Sequence, residues 1–162
     1  MTDQTFGELR REEDYGWWGK TNIDFGGDIC SVDILIHGHE DEITQRQRTA
    51  YEDFIRKWPA LQENLIEALI EYYNEEEYYS YGPEDEEEAK EWWPEIKTKE
   101  ALLRAVTLET IVVEWDHGQQ NGRSIYLLFS RIWGGEDLDD NGIGVHYVNE
   151  EIDNIGYKDM AF

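Results

Sequence analysis

Strand-like alternation fills the two ends of this chain and helical spacing fills its middle. That segregation limits the fold more than any other feature. In ICSVDILIHG, Cys30, Val32, Ile34 and Ile36 form a wholly apolar face, while Ile29, Ser31, Asp33 and Leu35 point the other way, as in a half-buried strand. Upstream, TFGELRREEDYGWWGKTNIDF reads as two short strands around a glycine-punctuated turn at Tyr15 to Gly19. Toward the other end, LETIVVEWD and RSIYLLFSRIW read as strands joined through Asn121-Gly122, a strong hairpin signal. GIGVHYV and IDNIGYKDM read as a further pair, turning at Asn149 to Glu151.

The middle has a different period. Asp41 or Thr44 is suited to cap a helix in which Ala50, Tyr51, Phe54, Ile55 and Trp58 recur at helical spacing. Pro59 suits a break, or the first turn of a new helix. Beyond it Leu61, Leu65, Ala68, Leu69 and Tyr72 form one stripe, with Glu63, Glu67 and Glu71 mostly off it. Gly82-Pro83 ends regular structure, and TKEALLRAV reads as a short helix capped by Thr98. Strands, then helices, then strands predict one α+β domain over residues 1–162: a largely antiparallel sheet with a central helical segment on one face.

Charge sorts the partners. The formal net charge is −24, which sets up a field that repels phosphates. Direct nucleic-acid binding is therefore not expected, whereas a basic protein or a cation is attracted. Seven Trp and ten Tyr argue for a folded body despite that charge, because disordered chains are poor in aromatics. No run approaches the roughly 18 apolar residues of a membrane span. MTDQTFGELRREEDYG has no basic start followed by an apolar run. Cys30 stands alone, so neither an internal disulfide nor a cysteine zinc site is expected. These absences predict a cytoplasmic protein.

EYYNEEEYYSYGPEDEEEAKEWW, residues 71–93, holds five tyrosines and two tryptophans among ten acids, with Lys90 its only base. The plain reading is a helix end and a solvated acidic loop. Spacers, however, are typically rich in Gly, Ser and Pro, and unused aromatic surface invites aggregation. The functional reading is an insertion at about 74–93 that grips a basic partner. In it Glu75, Glu76, Glu77, Asp85, Glu86, Glu87 and Glu88 supply the field, and Tyr78, Tyr79, Tyr81, Trp92 and Trp93 supply the anchors.

The C-terminal third adds a resemblance. The glycine-led stretch from Asp139 to Val145 and the end Ile155-Gly156-Tyr157, with the helix pair and VDILIHG upstream, resemble a bacterial family of unknown function. Its members resemble, or occur among, immunity proteins that neutralise polymorphic toxins of the contact-dependent inhibition type. The resemblance does not extend to residues 74–93 and brings no catalytic residues with it. It implies a protein without enzymatic activity or cofactor that binds a basic toxin domain, a nuclease being one candidate, and blocks it by occlusion. The alternative is an acidic accessory or scaffold protein whose charge mimics nucleic acid and which binds a basic DNA-handling protein.

Other chemistry has weaker signals. Asp137, Asp139 and Asn141 before Gly142 imitate the first half of an EF-hand loop, but its twelfth position is Val148 rather than Glu. An acidic turn is the expected reading. His37 and His39 share a strand face, with Asp116-His117 or His146 as further ligands for a metal-dependent hydrolase, yet no spacing requires a metal. No G-x-S-x-G and no phosphate loop is present, and Cys30 lies on the apolar face of its strand.

Overall fold

The computed structural model describes residues 1–38, 42–115, 122–134 and 142–162. Its eight described strands are β1 (Thr2–Asp3), β2 (Gly7–Glu12), β3 (Gly16–Phe25), β4 (Asp28–His37), β5 (Val106–Val113), β6 (Ser124–Arg131), β7 (Ile143–Val148) and β8 (Glu151–Gly156). They lie in sequence order in one sheet, every neighbouring pair antiparallel except β4 and β5, which run parallel. A parallel pair needs a long crossover. The helical middle supplies it: α1 (Gln45–Tyr72), a π turn (Tyr73–Glu77), α2 (Tyr78–Tyr81), α3 (Glu86–Trp92) and α4 (Lys99–Ala105). The fold is α+β, as the segregation of periods predicts.

Alternation decides what the sheet buries. Ile34 and Ile36 of β4, Ile111 and Val113 of β5, Leu127 and Phe129 of β6 and Val145 of β7 all face α1, which answers with Phe54, Trp58, Leu65 and Leu69. The outer face carries a much smaller cluster: Leu35, Val112 and Leu128 beneath Ala161 of a C-terminal 3-10 turn (Lys158–Ala161), flanked by Trp18 and Tyr126. Cys30 is half-buried and packs against the main core from the predicted apolar face.

Three boundaries differ from the sequence reading. The first turn is at 13–15, with the Tyr15 amide donating to the Glu12 carbonyl. Gly16 to Gly19 already belong to β3, which pairs with β4 along its whole length. Two tryptophans in a row suit a strand, where one ring goes to each face, and here pairing with β4 outweighs the glycines. Pro59 neither breaks nor starts a helix. It sits exposed inside the unbroken α1, and the flanking Trp58 and Leu65, both buried, hold the helix on the sheet against a local cost of about 3 kcal/mol. The last turn is Asn149-Glu150, with Glu151 already in β8. Thr44 caps α1 in a reciprocal box with Gln47, and Thr98 caps α4. Asp41 and Asn121 lie outside the described residues.

Gln47 does more than cap. Its side-chain amide donates to the carbonyls of His37 (2.6 Å) and Glu114 (3.1 Å), clamping the carboxyl ends of β4 and β5 to the start of α1. The hairpin at 149–150 is held by charge. Asn149 and Glu150 both have positive φ, 50° and 61°, a conformation that costs a non-glycine residue about 1–2 kcal/mol. The buried Glu150 carboxylate accepts from Arg123 at 2.9 and 2.7 Å and faces Lys57 at 3.5 Å.

Those hydrogen bonds from Arg123 hold the Glu150 carboxyl below its ordinary 4.5, against the opposing effect of burial. A depressed folded-state value contributes stability that is complete above about pH 4.5 and drains away as pH falls through the lower folded value. Glu150→Gln should therefore melt well below the native protein near neutrality, and the gap should narrow by about pH 3. Thermal melts of both proteins at the two pH values check this. A gap of constant size would take the ion pair out of the account.

Candidate functional site

The acidic aromatic stretch is neither a spacer nor an appended loop. α1 runs directly into the π turn and then α2, so helical backbone is continuous from Gln45 to Tyr81. Gly82 and Pro83 then reverse the chain, Asp85 caps α3 by accepting from the Glu88 amide at 2.8 Å, and α3 returns toward the core. Helical order explains how so many acids remain in place. Glu86, Glu87 and Glu88 fill the first turn of α3, where negative charge opposes the positive end of the helix dipole.

The underside of this segment is anchored. Tyr73 and Trp93 are buried, their rings stacked at 6.2 Å, and Trp133 meets Tyr73 edge-on at 4.7 Å. Tyr73 donates its hydroxyl to the Pro94 carbonyl at 2.6 Å, and burial pushes that phenol well above its usual range. Asn74 ties the π turn to the Ile96 carbonyl at 2.8 Å. The strongest tie is ionic. Glu77, 1% exposed, pairs with Arg131, 0% exposed, at the end of β6, and Tyr72 donates to the same Glu77 oxygen at 3.1 Å. The Arg131 guanidinium also lies over the rings of Trp133 (5.7 Å) and Tyr157 (5.4 Å). Burial, the Glu77 charge and a hydrogen bond with Tyr81 together push the Tyr157 phenol up to about 12.

The predicted site residues thus divide. Glu75, Glu76, Asp85, Glu86 and Glu87 are exposed, as are Tyr79 (88%) and Tyr81 (55%). Tyr78 is exposed along one edge while its ring meets Trp93 and Tyr73 edge-on. Glu88 and Trp92 are half-buried, Trp92 packing against the core. Glu77 and Trp93 need correction: both are inside, so Glu77 adds nothing to an outward surface and Trp93 cannot anchor a partner. Their partners explain why. Arg131 is on the inward-facing parity of β6, in line with Ile125, Leu127 and Phe129, and a buried guanidinium requires a carboxylate. That parity, an Arg in step with three core residues, is the signal in the sequence that marks Arg131 as buried and in need of a carboxylate.

One concavity adjoins this surface and another lies at the opposite end of α1. A groove of about 270 Å³ runs between the end of the long helix and β8, bringing Glu71, Glu75 and Glu76 opposite Asp153. It extends the acidic ridge onto the last strand of the sheet. The second, of about 440 Å³, opens at the carboxyl ends of β4 and β5 and is lined by Asp14, Tyr15, His37, Glu114, Trp115 and Phe162. Tyr15 and Phe162 meet edge-on at 5.9 Å, and His37 faces the Glu114 carboxylate at 3.2 Å. Ring faces beside carboxylates are chemistry that accepts a Lys or Arg side chain.

The metal readings separate in space. His37 on β4 and His146 on β7 are three strand spacings apart, roughly 14 Å, too far to share an ion. No group of three His, Cys, Asp or Glu side chains among the described residues is placed to hold a metal. His39, Asp116, His117 and the Asp137, Asp139 and Asn141 loop lie outside the described residues. No helix among them is long and apolar enough to cross a membrane.

Against known families, residues 5–162 match the model described as a domain of unknown function, DUF6985. The chain belongs to this family. The matched span of the DUF6985 chain runs across residues 74–93 as well as the sheet. No curated protein and no solved structure matches the chain.

Proposed function

We propose that this DUF6985 chain is a cytoplasmic immunity protein that binds a basic toxin domain, a nuclease being one candidate, and neutralises it by occlusion. The observation that carries the reading is the construction of the ridge. Glu75, Glu76, Asp85, Glu86 and Glu87 stand outward beside Tyr79 and Tyr81 on helical turns pinned from below by Tyr73, Trp93 and the Glu77–Arg131 pair. A preorganised surface loses little conformational freedom on binding, so its affinity is not spent on ordering. Its charge steers a cationic partner into encounter, the property an inhibitor needs to act before damage is done. The resemblance noted in the sequence supplies the toxin as the partner class, and the net charge of −24 supplies the sign.

The test is retention from lysate and secretome of the source organism on the immobilised full chain, at low and at high salt, identified by mass spectrometry. The reading expects one basic protein with a toxin-like C-terminal domain, retained at low salt and weakened at high salt. Retention of DNA-handling proteins would favour the nucleic-acid-mimicking accessory role. Many unrelated basic proteins, all released by salt, would overturn both.

A further inference from the structure

The structure assigns a serine nucleophile, Ser124, activated by His146 and positioned by Asp153, to the outer face of the sheet, giving the chain an esterase-type acyl-transfer activity. This goes beyond the binding role, and of its three residues only Asp153 also lines the groove beside the ridge. Ser124 Oγ lies 2.6 Å from His146 Nε2, and His146 Nδ1 lies 3.3 Å from Asp153 Oδ2. A nucleophile within hydrogen-bond reach of a base, which is in turn oriented by a carboxylate, is the arrangement that makes a hydroxyl reactive. It is recognised by geometry rather than by position in sequence.

Each part is held by the fold. Ser124, His146 and Asp153 come from the neighbouring strands β6, β7 and β8. His146 pairs with Asn154 but Tyr147 pairs with Ile152, so Asp153 is the extra residue of a bulge. A bulge re-aims a side chain, and here it turns Asp153 toward the imidazole of the strand beside it. Tyr126 stacks on His146 with centroids 4.2 Å apart and planes within 8°, fixing the ring that must point one nitrogen at each partner. With the proton on Nδ1, the nitrogen that faces Asp153, Nε2 is free to accept from Ser124.

The reaction closes without a cofactor. Ser124 Oγ attacks the ester carbonyl carbon while His146 Nε2 takes the hydroxyl proton. The tetrahedral adduct expels the alcohol, which leaves with that proton, and the acyl group stays on Oγ. Water then attacks the acyl carbonyl and gives a proton to Nε2. The carboxylic acid departs and the proton returns to Oγ. The negative charges of Glu114 and Asp153 act on Tyr126, and the chain as a whole carries −24, so neutral or cationic carboxylic esters suit this face better than phosphoesters. The Asp153 side chain is 59% exposed, so water weakens its hold on the imidazole, and its removal should cost less than removal of His146.

The experiment is labelling of the full native chain with a fluorophosphonate probe, followed by peptide mapping, with p-nitrophenyl acetate hydrolysis alongside. Modification should map to Ser124 and vanish in Ser124→Ala. His146→Gln should slow it by about a hundredfold, the scale of general-base assistance, and Asp153→Asn severalfold, with circular dichroism unchanged. An unlabelled native protein, a label on another residue, or equal labelling rates in native and Asp153→Asn proteins would overturn the assignment, whether or not His146→Gln folds.

Discussion

Arg131→Met is expected to destabilise the protein by about 3–5 kcal/mol, because it leaves the Glu77 carboxylate buried without its guanidinium. Most of the cost is not a lost attraction. It is the penalty for keeping a charge out of water once nothing of opposite sign faces it. Tyr72 still donates to Glu77, but one neutral hydroxyl does not offset that penalty. For a chain of this length the melting temperature should fall by about 6–20 °C. The companion variant, Glu77→Leu with Arg131→Met, should recover most of the loss, since a well-packed apolar pair often matches a buried ion pair. Thermal and urea melts of the single and double variants form the test. A double variant no more stable than the single would show that Arg131 matters through its place over Trp133 and Tyr157 instead.

Changing Glu75, Glu76, Asp85, Glu86 and Glu87 together to Gln or Asn should slow association with a basic partner by about ten- to a hundredfold at low salt and flatten its salt dependence. The fold should be retained, since all five are exposed and relief of self-repulsion offsets the lost favourable charge at the start of α3. Tyr79→Ala should act instead on the dissociation rate, as loss of an exposed ring anchor does. Trp93→Ala belongs to a different class. Its ring is 4% exposed and stacks on Tyr73, so the expected result is a loss of about 3–5 kcal/mol in stability rather than a change in kinetics. Surface-plasmon measurements across a salt series separate these cases. Unchanged association kinetics in the neutralised variant would remove the ridge from the binding mechanism.

The two halves of the site were unequally legible. That residues 71–93 combine acids and rings is plain from the chain, and the exposed members among them follow from ordinary solvation of carboxylates. That Glu77 and Trp93 turn inward is not visible within the stretch itself. For Glu77 it depends on Arg131, 54 positions away, arriving from β6 at the end of the helix, and for Trp93 on the rings of Tyr73 and Tyr78. Ser124, His146 and Asp153 are an extreme case of the same kind. Each is an unremarkable polar member of its own strand, and no spacing motif joins them. Only pairing of β6 with β7 and β7 with β8, and the one-residue bulge at Asp153, brings them within hydrogen-bond reach.

By itself the sequence determined the periods, two in the strands and 3.6 in the helices, the polar caps at Thr44 and Thr98, and a net charge of −24. These are local properties, set by whether neighbouring side chains fall on one face or two. Tertiary structure decided what neighbours in sequence do not control. It joined β4 and β5 in parallel across the helical middle, carried α1 through Pro59, and drew Arg131 to Glu77. In each case burial on the sheet outweighed a local preference. A proline costs a helix about 3 kcal/mol, and large apolar side chains such as Trp58 and Leu65 each recover about 1.5–3 kcal/mol when buried, so the core prevails where the two conflict.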